Sequence, residues 1–165
     1  MPGPNVARRE EVVGGIIYQS AHLRCAVHRA FEMFTVNEQV QSWLAPSANI
    51  EAEEGGRYEL FWDLEDREHD STMGCGVTAI EKDRMLSFEW KGPRQFEHFM
   101  NDADPLTHVV VFFLPCCEGS AGPTEVHLVH SSWRSSPEWE EARQWFERAW
   151  RVALEGLEAQ VNDLA

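Results

Sequence analysis

The stretch PEWEEARQWFERAWRVALEGLEAQVNDL, residues 137–164, decides the fold of this 165-residue chain. Ser136 is suited to cap a helix and Pro137 to begin one. Apolar side chains then recur at three- and four-residue steps, while charged residues occupy the opposite side. The apolar stripe consists of Ala142, Phe146, Ala149, Trp150, Ala153, Leu154, Leu157, Val161 and Leu164. The pattern predicts one helix of roughly 40 Å, whose stripe needs a sheet to pack on.

The residues before this helix supply such a sheet. Strand-like alternation recurs several times, most clearly where Tyr58, Leu60 and Trp62 share one face. Strands are predicted over residues 15–24, 48–53, 57–62, 73–81, 86–90, 108–114 and 124–131. Short helices are predicted over residues 26–34 and 37–44, with Asn37 as the N-cap of the second. We therefore expect an α+β fold, in which a curved antiparallel sheet of about six or seven strands surrounds the long C-terminal helix.

The domain organisation follows from the absence of repeats and internal linkers. Residues 1–13 are polar and contain Pro and Gly, so we expect a flexible N-terminal segment there. The remainder, residues 14–165, is predicted to form a single domain. The start of the chain lacks the apolar run of a signal peptide, and no run is long enough to cross a membrane, so a cytoplasmic location is expected.

Charge and cysteine content narrow the classes of partner. The chain has 14 basic and 28 acidic side chains, a formal net charge of −14, which disfavours binding to nucleic acid or to anionic membranes. None of the four cysteines has the CxxC spacing of a metal or redox site. We interpret them as free thiols in a reducing compartment, and we expect no metal and no cofactor.

Four local patterns, taken in order, resemble one known family. Val27–Thr35 followed by Gln41–Pro46 is similar to its first helix pair, and Gly55–Tyr58 to its turn into the third strand. Gly76–Trp90 resembles its central hairpin, and Val129–Trp133 with Ala149–Leu157 its ending. Leu44, Ser132 and Ala149 depart from the usual Phe, Gly and Gly. The family is the START-like, or helix-grip, superfamily, and the nearest branch is that of single-domain homologues of heat-shock-protein-90 ATPase activators.

The resemblance implies a cavity between sheet and helix that binds an apolar or amphipathic small molecule. The candidate ligand-binding residues are Trp43, Leu60, Trp62, Phe88, Trp90, His130, Phe146 and Trp150. These rings either line such a pocket or fill a solid core, and sequence does not separate the two. His130 is expected to point inward from its strand, as a hydrogen-bonded core residue or as an acid–base group. No motif for nucleophilic or metal catalysis is present, so no catalytic residue is assigned.

Three functions remain open at this point. A small-molecule binding protein is the first, a co-chaperone-like regulator of a heat-shock chaperone ATPase the second, and a cyclase- or hydrolase-type enzyme using His130 the third. A homodimer is a further alternative. Trp133, Trp139 and Trp145 are predicted to be exposed and could form its interface.

Overall fold

A computed structural model describes residues 14–116 and 122–163. The predicted flexible segment 1–13 lies outside the described residues. The elements, in chain order, are β1 (Ile17–Leu23), α1 (Val27–Thr35), α2 (Asn37–Gln41), β2 (Ser47–Ile50), β3 (Tyr58–Phe61), β4 (Val77–Glu81), β5 (Met85–Trp90), α3 (Glu97–Met100), β6 (Thr107–Pro115), β7 (Thr124–Ser131) and α4 (Pro137–Asp163).

The strands form two antiparallel sheets that continue into each other. Five strands make one sheet in the order β1-β7-β6-β5-β4, and β2 pairs with β3 in the other. Backbone bonds join the two, among them Val77 N to Gly56 O at 2.8 Å and Tyr58 N to Cys75 O at 2.9 Å. Two isolated bridges, Arg57 with Gly76 and Phe61 with Ser71, extend this junction. The described part of the chain therefore holds seven strands, and the predicted α+β helix-grip fold is confirmed.

The core lies between the concave sheet face and α4. Alternate residues of the central strands are buried, which is the pattern expected when one face of an antiparallel sheet packs against a helix. On α4 the buried residues are Trp139, Ala142, Phe146, Trp150, Leu154, Leu157 and Val161. The predicted stripe is therefore the core face, except that Ala149 and Ala153 lie half-buried at its margin and Leu164 lies outside the described residues.

Polar side chains of α4 also bond the backbone of β1. Glu158 Oε1 accepts from His22 N at 2.8 Å, and Asn162 Oδ1 accepts from Arg24 N at 2.7 Å. Asn162 Nδ2 donates in turn to His22 O at 3.0 Å. The C-terminal half of the helix is thus held to the first strand by directional bonds as well as by apolar packing.

Two local predictions were wrong. Asn37 does not cap α2 but begins it, and its Oδ1 accepts from Ile50 N at 2.8 Å, which ties the helix to β2. Trp133 and Trp139 are not exposed, since they retain 0% and 6% of their accessible surface. Trp133 folds back from the link after β7 and donates its indole N–H to His130 O at 3.1 Å. Trp145 is half-buried, with its ring 5.8 Å from that of Phe96, so the predicted tryptophan patch does not exist on this surface.

No helix in the described ranges is both long and apolar enough to cross a membrane.

Candidate functional site

A groove of about 680 Å³ runs alongside α4, within the range of roughly 300–1,000 Å³ typical of small-molecule sites. One wall comes from α4, another from the ends of β3 and β5, and a third from the acidic loop after β3. Its lining residues are Leu44, Trp62, Asp63, Asp70, Ser71, Trp90, Pro93, Trp145, Phe146, Arg148, Ala149, Trp150, Val152 and Ala153.

Four of the predicted ligand-binding residues line this groove together. Trp90 is central, because its ring centroid lies 5.0 Å from that of Trp150, 6.0 Å from Trp62 and 6.3 Å from Phe146. Trp90, Phe146 and Trp150 are buried and form the floor, while Trp62 is 39% exposed and stands at the rim. Phe146 and Trp150 are one helical turn apart on α4, so both project to the same side.

The other four predicted residues do not line the groove. Phe88 lies behind it, stacked on Tyr58 with the ring centroids 3.8 Å apart, and Leu60 is fully buried. Trp43 packs against Phe34 and donates its Nε1–H to Met33 O at 2.7 Å. His130 is also fully buried. These four side chains pack within the interior beside the groove.

His130 is fixed in one tautomer by its neighbours. Its Nδ1 accepts from Trp150 Nε1 at 3.0 Å, and because an indole nitrogen can only donate, the imidazole proton resides on Nε2. Nε2 lies 3.0 Å from Thr107 Oγ1, to which it donates. Burial lowers the pKa of His130 to about 3, with a smaller effect from His108. The neutral ring therefore positions Trp150 in the groove floor, and no contact gives it the geometry of an acid–base group.

The acidic wall of the groove is held in place by one arginine. The Arg94 guanidinium lies 3.6 Å from Asp63, 3.1 Å from Asp66 and 3.4 Å from Asp70. Its backbone N–H also donates to Asp70 Oδ1 at 2.8 Å. Next to it His69 Nδ1 bonds Glu97 at 2.9 Å, and this carboxylate raises the pKa of His69. The loop after β3 is thereby fastened to the segment between β5 and α3.

The opposite rim carries Arg148, which is exposed and makes no ion pair or hydrogen bond with the described part of the chain. The indole N–H groups of Trp62, Trp90 and Trp150 also differ in whether they have a hydrogen-bond acceptor. Trp62 donates to Leu44 O at 3.1 Å and Trp150 to His130. The Trp90 N–H is buried without a partner among residues 14–116 and 122–163.

Two kinds of reactive group would bear on chemistry at the groove, a cluster of metal ligands and an activated thiol. Within the described ranges no three His, Cys, Asp or Glu side chains lie together as metal ligands would. Cys75 is buried and does not line the groove, and desolvation raises the pKa of its thiol to about 12, which keeps the thiolate out of reach at neutral pH.

Sequence reasoning missed several groove residues, above all Ala149, Ala153 and Arg148. The two alanines were assigned to the core stripe, yet their small side chains beside Phe146 and Trp150 are what leaves room for the groove. Two alanines four residues apart between large rings are a usable signal for such a space. Arg148 gave no comparable signal, because an exposed arginine on a helix is ordinary.

One family model matches most of the chain. The profile of the family described as Activator of Hsp90 ATPase homolog 1-like protein matches residues 24–162. No curated protein is similar enough in sequence to be matched.

Solved structures of low sequence identity share the fold. A Staphylococcus saprophyticus protein is 14% identical, with a TM-score of 0.65 over 90% of this chain and 92% of its own. The Aha1 dimer of Colwellia psychrerythraea is 13% identical, with a TM-score of 0.64 over 90% of this chain and 96% of its own. A protein described as an HSP90 activator from Plasmodium falciparum is 18% identical, with a TM-score of 0.63 over 86% of this chain and 91% of its own.

Proposed function

The chain belongs to the Activator of Hsp90 ATPase homolog 1-like family, and from that premise we propose that it binds a lipophilic or amphipathic small molecule in the groove beside α4. The observation that carries the proposal is the aromatic floor of that groove, made by Trp90, Phe146 and Trp150. A ligand on this floor would cover the three rings and the exposed part of Trp62. Burial of apolar surface contributes about 25 cal/mol per Å², so such contact would supply most of the binding free energy.

Filling the groove tests the proposal directly. Ala149→Phe would place a ring in the groove, whereas Ala159→Phe makes the same change at an exposed position of the same helix, outside the lining. The probe is the neutral dye N-phenyl-1-naphthylamine, followed by fluorescence. We expect wild type and Ala159→Phe to bind it equally and Ala149→Phe to bind it at least tenfold more weakly. Equal binding by all three proteins, or no binding by wild type, would contradict the proposal.

A second candidate function is contact with a heat-shock chaperone. The family name and the Plasmodium protein favour it, and so does an apolar patch on the outer sheet face, where Tyr18, Phe112 and Leu114 are exposed. Phe112→Ser is expected to reduce capture by purified Hsp90 and any stimulation of its ATPase, while Ala149→Phe leaves both unchanged. Absence of capture by the wild-type chain would remove this candidate.

The same patch is a candidate surface for self-association, as one relative is described as a dimer. Light scattering decides this, because the chain mass is 18.9 kDa and a dimer doubles it. A monomeric mass at the concentrations used for chaperone capture would exclude the dimer.

A further inference from the structure

We infer that the molecule bound in the groove is an apolar carboxylate, whose anionic head pairs with Arg148 while its apolar body lies on the Trp90–Trp150 floor. The inference rests on the proposed function and adds the chemical class of the ligand. The polar groups around the groove support this class of ligand, because some of them already have partners and others do not.

The carboxylates on the groove wall are already occupied. Asp63 Oδ1 accepts from the backbone N–H groups of Glu65 and Asp66 at 3.0 and 3.2 Å, and its Oδ2 faces Arg94. Asp70 accepts from Arg94 through both oxygens, at 2.8 and 3.4 Å. A cationic head group would compete with these bonds at both side chains. The acidic wall is therefore partly neutralised by Arg94, and a cation gains less there than at unpaired carboxylates.

The groups that lack partners are donors. Arg148 makes no ion pair or hydrogen bond with the described residues, and the Trp90 N–H is buried without an acceptor there. Both residues line the same groove, but only the Arg148 side chain is exposed to a ligand there. An unpaired cation at the rim favours a ligand that carries negative charge.

The sequence of α4 explains why Arg148 is left unpaired. Arginines on a helix normally pair with acids three or four residues away, as Arg143 does with Glu140 and Glu147. The corresponding neighbours of Arg148 are Gln144, Trp145, Arg151 and Val152, none of which is acidic. No acidic side chain at these positions on α4 competes with a ligand for Arg148.

The net charge of −14 opposes an anionic ligand chiefly at long range, because the two aspartates in the groove lining are paired with Arg94. At physiological ionic strength the Debye length is about 8 Å, so distant carboxylates are largely screened while a paired head group at Arg148 is not. The expected consequence is slow association at low salt, with an affinity that depends on Arg148.

Three twelve-carbon probes test the inference, each used below its micelle-forming concentration at pH 7.5: laurate, 1-dodecanol and dodecyltrimethylammonium. Displacement of N-phenyl-1-naphthylamine gives their affinities for wild type, Arg148→Gln and Arg151→Gln. The last is the matched control, since Arg151 is an exposed arginine on the same helix outside the groove lining. An exposed charged pair is worth up to about 1 kcal/mol, which corresponds to about fivefold in affinity.

We expect laurate to bind wild type about fivefold tighter than dodecanol, and Arg148→Gln to abolish that advantage while leaving dodecanol binding unchanged. Arg151→Gln should behave as wild type. If dodecyltrimethylammonium binds tightest, or if the two arginine variants lose laurate affinity equally, the carboxylate assignment is overturned while the proposed groove still stands. If none of the three probes binds, the groove and the assignment fall together.

Discussion

At the scale of single residues, Trp90 and Trp150 differ in whether their buried indole N–H has a hydrogen-bond acceptor. Both indoles are nearly fully buried, and their ring centroids are 5.0 Å apart. Trp150 donates to His130 Nδ1, whereas the Trp90 N–H has no acceptor in the described ranges. The two positions therefore allow a controlled measurement of what one buried hydrogen bond contributes.

Trp150→Phe and Trp90→Phe remove the same atoms from neighbouring sites. The first leaves His130 Nδ1 without a donor, and the second removes an N–H that had no acceptor. We expect Trp150→Phe to lower the free energy of unfolding by roughly 1–3 kcal/mol more than Trp90→Phe does. Urea unfolding of the two variants and wild type measures the difference. Equal losses would mean that the bond to His130 contributes nothing net.

Burial of His130 predicts that the stability of the fold depends on pH. Its pKa in the folded protein is about 3, well below the value of 6.5 in an exposed histidine, so the unfolded chain binds the additional proton between these pH values. Stability from this residue is complete above pH 6.5 and is lost as pH falls toward 3. We expect the free energy of unfolding to fall by about 2 kcal/mol between pH 7 and pH 5, because each pH unit well below 6.5 costs about 1.4 kcal/mol.

The control for that prediction is His130→Gln, whose amide can still accept from Trp150 and donate to Thr107 but does not titrate. Stability of this variant should fall less steeply over the same range. His108, whose pKa burial also lowers, is present in both proteins and cancels in the comparison. Identical slopes would show that His130 does not carry the acid sensitivity.

At the scale of elements, the loop between β3 and β4 depends on Arg94 more than on its own sequence. The loop carries several acids, a pattern typical of a solvated edge. In the structure Arg94 reaches three of the carboxylates, and this fastening turns the loop into a wall of the groove. The pairing could not be foreseen, because Arg94 lies in a connection whose path the local pattern does not determine.

Arg94→Gln is expected to loosen this wall without unfolding the protein. Exposed ion pairs contribute roughly 0–1 kcal/mol, so the global loss should be about 1 kcal/mol or less. Hydrogen exchange of residues 63–72 should nevertheless quicken. Arg84→Gln, which removes a single exposed pair with Glu81, serves as the control and should leave that exchange unchanged. Unchanged exchange in Arg94→Gln would mean that the loop holds its position without the arginine.

At the scale of the whole molecule, sequence predicted the architecture well and the site less well. The periodicity of α4 and the alternation in the strands follow from burial on one face, which local sequence records directly. Trp62, Trp90, Phe146 and Trp150, which line the groove, were candidates because they lie on those faces. Trp133 was assigned to the surface, because its burial depends on how the link after β7 folds back. Whether Phe88 meets a ring or open space depends on packing between distant segments, which no local pattern encodes.

The bonds from α4 to β1 have a consequence for how copies of the chain meet. β1 is an outer strand of its sheet, and such strands offer unpaired backbone groups to which a strand of another molecule can add. Glu158 and Asn162 occupy some of these groups, so the helix shields the edge from intermolecular sheet growth. Combining Glu158→Ala with Asn162→Ala should therefore raise aggregation on mild heating, as followed by thioflavin fluorescence, more than Glu155→Ala with Ala159→Ser does. The long helix would then protect solubility along its outer margin while its inner face forms the groove.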